Sequence, residues 1–519
     1  MKISQIDFKD TNAFSALVTD YLNQDPRLTP FYHRFPTLAA FGEQIREKQF
    51  GPAHREVLVA ELKRQYAALP DLQPQVQHNL ELLARPTTFT VTTGHQLNLF
   101  TGPLYFVYKI VSTIILARQL KAACPEYDFV PVYWMATEDH DFAEVNHFTL
   151  FGKHHTWETD QKGAVGRFAT ESLAPLLQQL PEIADAFKAA YSRQPTLAEA
   201  TRDLTHMLFG EYGLVNVDGD SAALKALFKP VICRELLEQQ SHTLVEATSA
   251  RLAQHYKPQV MSREINLFYL DQGLRERIVA EGDVYKVLHT NLTFTREEIT
   301  RLAETSPETF SPNVILRPLY QEMVLPNLAY IGGGAEVAYW FQLKEVFEAS
   351  GVVYPLVLLR DSAMYINRAS ATRMQKLHLA PVDMFHELPA LKRQITARFE
   401  HESLNLSQEQ EAIGAIFTQI SQLATRIDPT LTKTVAAEAQ KTHNALAVLE
   451  KKLVKANDTK YEIYFNQLTN LKDKLFPNGV LQERVENLFT YLANNPDFIP
   501  HLVSAFDPLA GKFTILIED

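Results

Sequence analysis

Three stretches of the sequence concentrate side chains that bind or move charge. The first, TGHQLNLFTGPLYFVYK (residues 93–109), sets Gly94, His95, Gln96 and Asn98 between a β-branched run and a long apolar one. Glycine lets the backbone turn sharply or approach a ligand, His95 and Gln96 supply donors and acceptors, and a helix starting near Thr101 and Gly102 presents unpaired N–H groups to an anion. The second, WMATEDHDFAEVNH (residues 134–147), crowds Glu138, Asp139, His140, Asp141, Glu144 and His147 together. So many proton acceptors repel one another unless a cation, a substrate amine or arginine compensates them. His140 and Glu144, four apart, share a helical face and with His147 make a candidate nitrogen and oxygen metal site. The alternative is that the carboxylates cap a helix and pair with arginines such as Arg317 or Arg360. The third stretch, NVILRPLYQEMVLPNLAYIGGGAEVAYWFQLKEVF (residues 313–347), places Gly332, Gly333 and Gly334 before an amphipathic helix. Amides at that helix start suit a carboxylate or phosphate, while Glu336 in the first turn can satisfy the dipole itself or bind a cationic amine. GGGAE has neither the lysine of GxxxxGK[ST] nor the spacing of GxGxxG.

These side chains need elements that bring them together. TTFTVTT reads as a buried strand ending at Gly94, YFVYKIVSTIILARQLKAA as a helix apolar nearly all round, and DFVPVYWMA as a second strand. Strand, helix, strand favours a parallel sheet. Further candidate strands are GLVNVD (213–218), INLFYL (265–270), NVILRPL (313–319) and VVYPLVLLR (352–360), separated by helical patterns as in an open doubly wound sheet. Ligands bind beyond the carboxyl ends of such strands, and all three stretches fall there. The first 86 residues read as helices, around 14–22 and 54–69, and insertions fall near 160–210 and 225–310. The expected organisation is an α/β core over 1–382, a helical coiled coil over 383–475, and a segment 476–519, containing FTILIE, that packs back on the core. Within the coiled coil, Ile413, Ile416, Ile420, Leu423 and Ile427 repeat at three and four residues, Asp428-Pro429 breaks the run, and Leu446, Leu449, Leu453, Leu468, Leu471 and Leu475 resume it. Two antiparallel helices fit. The second, from about residue 432 to 475, exceeds what the first can cover, which predicts a homodimer.

A net charge of −11 argues against a broad footprint for nucleic acid or anionic lipid. The start MKISQIDFKD has no charged-then-apolar signal pattern, and the longest apolar stretch is interrupted by Lys109, so the reading is a cytoplasmic protein off the membrane. Two cysteines, Cys124 and Cys233, form neither a disulfide framework nor a CxxC site.

TGHQLNLFTGPLYFVYK, WMATEDHDFAEVNH and LRPLYQEMVLPNLAYIGGGAEVAYW, in this order and followed by a long coiled coil, resemble the bacillithiol-biosynthesis cysteine-adding enzymes, the BshC family. The resemblance implies a Rossmann-like parallel-sheet core with inserted connecting segments, a coiled coil used in dimerisation, and a ligase that joins the carboxyl of L-cysteine to the amine of glucosaminyl malate. A free carboxylate does not acylate an amine at neutral pH, so ATP or another nucleotide is expected to activate it, and no metal is firmly implied. Under that reading Gly94, His95, Gln96, Asn98 and Gly102 position the nucleotide or acyl group, with Gly332, Gly333 and Glu336 in the same binding role. Glu138, Asp139, His140 and Asp141 hold the amine or a divalent ion, His140 or His147 removes its proton, and Arg317 grips a malate or cysteine carboxylate. Two other readings stay open: a metal-dependent hydrolase built on the cluster from Glu138 to His147, and a non-enzymatic coiled-coil scaffold.

Overall fold

TTFTVTT becomes the centre of a sheet because both its faces are covered, and strands buried on both sides are near-continuous runs of apolar and β-branched residues. In the computed structural model, which describes residues 1–181, 184–399 and 406–519, this strand, β1 (Thr88–His95), is joined by β2 (Asp128–Met135), β3 (Val215–Asp218), β4 (Asn327–Gly332) and β5 (Leu356–Leu359). The order is β5-β4-β1-β2-β3 and every pairing is parallel. Its buried threonines are satisfied across the sheet. Thr90 and Thr92 donate to Asn327 Oδ1 at 3.1 and 2.8 Å, and Thr93 donates to the Ile331 carbonyl at 2.8 Å. Helix α1 (Tyr105–Ala123) closes one face, where Leu116, Ala117 and Leu120 meet Phe89, Val91, Phe129, Leu328, Ile331 and Leu358. The strand order reverses between β1 and β4, which leaves a crevice beyond their carboxyl ends.

Two expected strands fall elsewhere. Residues 313–319 are not a strand: the chain turns and enters helix α2 (Arg317–Val324), whose Pro318 sits in the first turn, where a missing N–H is not felt. The strand is the next apolar run, β4, and it leads into helix α3 (Gly334–Trp340). INLFYL does form a strand, Leu267–Asp271, but in a separate antiparallel sheet with Leu274–Glu281, Val284–Val287, Thr293–Thr295 and Phe310–Pro312. The helical reading of the first 86 residues missed a strand, Lys2–Asp7, which lies beside the terminal strand Lys512–Ile517.

The chain divides into two compact units, Met1–Met364 with Val480–Leu516 and Tyr365–Gly479 with Ile517–Asp519. The division comes at residue 364 rather than 382 because helix Arg368–Lys376 packs against the long helix of the second unit. That unit is an antiparallel hairpin of α4 (Ser407–Ile427) and α5 (Leu431–Leu475), turned at Asp428, whose Oδ1 accepts from the Thr430 N–H at 2.9 Å. Leu468, Leu471 and Leu475 are buried, and helix Leu388–Phe399 packs on α5. Leu449 and Leu453 are 49% and 39% exposed. Residues 182–183 of the first expected insertion and 400–405 of the expected coiled coil lie outside the described residues. No helix among the described residues is long and apolar enough to cross a membrane.

Candidate active site

A cleft of about 760 Å³ opens where β1 and β4 end. One wall is acidic. Gln96, just past β1, donates through Nε2 to Asp139 Oδ2 and to Glu144 Oε2, both at 2.7 Å, and so ties the first sequence stretch to the second. Asp139 Oδ1 accepts the His140 backbone N–H at 2.8 Å and lies 3.7 Å from Arg275. Burial works against the charge of Asp139, but His140, Arg275 and Gln96 outweigh it and hold its carboxyl well below the usual range. Its neighbour Glu138 has the opposite environment. Burial dominates there and raises its pKa, although the fully buried Lys225 donates to it and to the Phe310 carbonyl. Adjacent carboxyl groups whose environments pull their pKa values apart have different tasks.

The other wall is built by the antiparallel sheet. Arg275 and Arg277 are two apart on strand Leu274–Glu281 and share a face, opposite Leu270 and Phe268 of the paired strand. Arg275 lies 4.0 Å over the Phe268 ring, donates to the Ser311 hydroxyl at 3.0 Å and donates to His140 Nδ1 at 2.7 Å. Since arginine only donates, Nδ1 of His140 is the acceptor in this contact.

Between the walls is a buried network at the strand crossing. Lys109, the buried cation of helix α1, whose Arg118 and Lys121 are exposed, donates to the Gly94 carbonyl and to Glu336 Oε2, the latter at 2.6 Å. Glu336 also accepts from the Tyr330 hydroxyl at 2.5 Å and the Gly333 N–H at 2.8 Å. Burial disfavours its charge, but Lys109 and these donors prevail and lower its pKa. The chain's own carboxylate therefore occupies the start of α3. Gly94 permits a close approach: a β-carbon there would lie 3.2 Å from the Tyr330 hydroxyl and 3.3 Å from Arg317 Nη1, so these side chains would have to yield. Arg317 donates to Gln321 Oε1 at 3.1 Å and to the Tyr339 hydroxyl at 3.4 Å. Among the described residues, no carboxylate forms an ion pair with it. His95 stacks on Phe106 with centroids 5.2 Å apart, and its buried Nε2 has no hydrogen-bond partner among the described residues. Burial, with Lys109 and Arg360 nearby, pushes its pKa down to about 3, so the ring stays neutral.

The cleft thus gathers Gly94, His95, Gln96, Glu138, Asp139, His140, Arg317 and Glu336. Other expected residues lie off it. Asn98 packs against Gly102, which has φ +58° and a carbonyl held by Asn487 at 2.8 Å, so this pair forms a closed turn. Gly332 and Gly333 are covered by Glu336. Asp141 is exposed outside the lining, and His147 meets Asn146 and the His154 ring on a hairpin. The expected metal set of His140, Glu144 and His147 is therefore not assembled, and no three His, Cys, Asp or Glu side chains among the described residues converge as a metal site. The cations facing the acidic stretch are Arg275 and Lys225, not Arg317 or Arg360; Arg360 is paired with the buried Glu483 at 2.6 Å. Lys109, Lys225, Arg275, Tyr330 and Tyr339 were not singled out from the sequence as site residues. A lysine interrupting the apolar stretch of residues 104–117 was the visible signal for the first.

Comparison with known proteins agrees with this architecture. The model of the family described as "Bacillithiol biosynthesis BshC, N-terminal Rossmann-like domain" matches residues 1–361, and that of its "C-terminal coiled-coil domain" matches residues 363–518. A protein of Cytophaga hutchinsonii is 42% identical over 507 residues, covering 98% of this chain and 97% of its own. One of Flavobacterium psychrophilum is 43% identical over 525 residues, covering 98% of each, and one of Chlorobaculum tepidum is 30% identical over 500 residues, covering 89% of each. All three are named "Putative cysteine ligase BshC".

Proposed function

The chain belongs to the BshC family of bacillithiol biosynthesis, and we propose that it is a ligase forming an amide between the carboxyl of L-cysteine and the amine of glucosaminyl malate. One observation carries the reading within the site: a cleft at the strand reversal has carboxylates bridged by Gln96 on one wall and arginines on the other. Such polarity suits a substrate that carries an amine and carboxylates at its two ends.

In this proposal Asp139 and Glu144 hold the incoming ammonium group, and Gln96 fixes their spacing. The amine must lose a proton before it attacks, and His140 is placed beside Asp139 to take it. Its basic nitrogen accepts from Arg275 in the free protein. A substrate carboxylate that draws Arg275 away frees Nδ1 at the moment the base is needed. Glu138, locked to Lys225, is scaffold to this arrangement. Arg317, which has no carboxylate partner among the described residues, steadies a carboxylate of cysteine or malate.

Amide synthesis from a free acid requires an activated acyl donor, normally an acyl phosphate or adenylate, so ATP or a related nucleotide is part of the proposal. The residues fit such a group. The cleft is large enough, Trp134, Tyr330 and Tyr339 line it, and the unpartnered His95 Nε2 is a buried polar atom awaiting a ligand. The protein is proposed to work in the cytoplasm as a homodimer joined through the exposed apolar side chains of the coiled-coil hairpin, such as Leu423 and Leu449. The metal-dependent hydrolase reading has lost its expected ligand set.

The test is direct. Purified protein with L-cysteine, glucosaminyl malate and ATP should yield bacillithiol by mass spectrometry, and cells lacking the gene should accumulate glucosaminyl malate. Unchanged thiol profiles in those cells would overturn the proposal.

A further inference from the structure

A second cavity of about 280 Å³ shares Arg263, Ile265 and Arg277 with the main cleft and is closed by His242 and Ser262. We propose that this side compartment is a dicarboxylate-binding subsite, with Arg263 and Arg277 as its anion receptors. Resting on the ligase reading, it would take the malyl end of the acceptor while the amine reaches the acidic wall.

Arg275, in the free protein, is engaged by Ser311, His140 and the Phe268 ring. The side chains of Arg263 and Arg277 form no hydrogen bond or ion pair with any described residue, although both line both cavities. Arg263 is exposed and Arg277 half-buried, and two guanidinium groups without a counter-charge on one lining give the compartment an excess of positive charge that an anion neutralises. Glu264 also lines the compartment, so one carboxylate opposes two arginines there.

The back of the compartment is ordered for polar contact. The Ser262 hydroxyl donates to Glu246 Oε1 at 2.7 Å, so it accepts from His242 Nδ1–H at 2.8 Å and leaves Nε2 of that ring unengaged. A carboxylate rather than a phosphate is favoured for two reasons. Arginine forks match carboxylates in bidentate geometry, and separate forks on a loop and a strand suit two separate carboxyl groups. The position where phosphate usually binds in such folds, the amide at the helix start, is filled by Glu336.

Calorimetric titration separates the possibilities, using glucosaminyl malate, methyl glucosaminide (the same amino sugar without malate), succinate and ATP as probes. Wild-type protein should bind glucosaminyl malate at least about tenfold more tightly than methyl glucosaminide. Arg263→Gln and Arg277→Gln should each abolish most of that preference, and Arg277→Lys, which keeps charge but loses the fork, should restore only part of it. Tryptophan fluorescence melts would confirm that each variant is folded. Unchanged preference in both glutamine variants overturns the subsite and leaves the ligase reading standing. Variants that lose ATP binding while keeping glucosaminyl malate overturn it in favour of a phosphate site. Arginine-dependent binding of succinate without any binding of glucosaminyl malate supports the subsite and defeats the ligase reading. No binding of either dicarboxylate overturns both.

Discussion

Replacing Lys225 by methionine should destabilise the first unit in a pH-dependent way. The Lys225 side chain is 0% exposed and that of Glu138 12%, so the substitution leaves a carboxylate facing a methylene chain inside the protein. Breaking a buried ion pair by removing one partner costs about 3–5 kcal/mol. Glu138 limits that cost by taking up a proton, at about 1.4 kcal/mol for each unit its pKa rises. Burial already holds the folded-state pKa of Glu138 above its ordinary 4.5. The penalty from this group is therefore absent below that value and grows as pH rises through the folded pKa, which the substitution raises further. The loss should be largest near pH 8 and small near pH 5. Tryptophan fluorescence in urea reads the correct unit, because Trp134, Trp157 and Trp340 are all within it. The expected shift of midpoint at pH 8 is on the order of 1 M. Adding Glu138→Gln to Lys225→Met should recover most of it, and the recovered double variant should keep its turnover if Glu138 is scaffold. Equal losses at both pH values, or a double variant no more stable than the single, would refute the assignment of a charged pair.

Three further outcomes are expected. His95, neutral down to about pH 3, contributes stability that is present above the ordinary histidine value of 6.5 and lost as pH falls from there towards 3; His95→Gln should flatten that acid limb, and an NMR midpoint near 6.5 for His95 would contradict its burial. Gly94→Val should weaken ATP or cysteine binding about tenfold or more by pushing on Tyr330 and Arg317, whereas Gly333→Ala, whose β-carbon meets Glu336 at an ordinary 3.5 Å, should change affinity little; equal affinities in calorimetry would make Gly94 an ordinary corner. Leu449→Glu with Leu453→Glu should leave the chain folded, since both are exposed, but should convert a dimer to a monomer in sedimentation; wild-type protein that is monomeric at micromolar concentration refutes the interface.

The elements that sequence pattern located well are those whose burial is set locally. TTFTVTT and DFVPVYWMA are buried along almost their whole length, and the long coiled-coil helix begins at Leu431, against an expected 432, because Asp428-Pro429 must interrupt it. Patterns that several structures satisfy were read less well. NVILRPL is apolar enough for a strand, but its proline also fits a helical first turn, and the packing of α2 decides. INLFYL has the alternation of any half-buried strand, and nothing in it reveals whether its partner is parallel or antiparallel. KISQID is largely exposed, so it lacks the apolar signature; its partner is the strand at the far end of the chain.

The same distinction governs the site. The density of carboxylates in TEDHD was enough to require compensating cations, but tertiary packing chose Lys225 from a helix and Arg275 from a hairpin over the arginines expected. The pattern of LRERIVAE already puts Arg275 and Arg277 on one face, yet that face acquires meaning only when the hairpin lies along the cleft. Glu138 and Asp139 make the point most sharply. They are neighbours with the same chemistry, and a sequence reading gives both the same role. Burial raises the pKa of one, whose charge Lys225 already neutralises, while His140, Arg275 and Gln96 overcome burial and lower that of the other, so Asp139 is the carboxylate that the proposed function gives to a substrate amine.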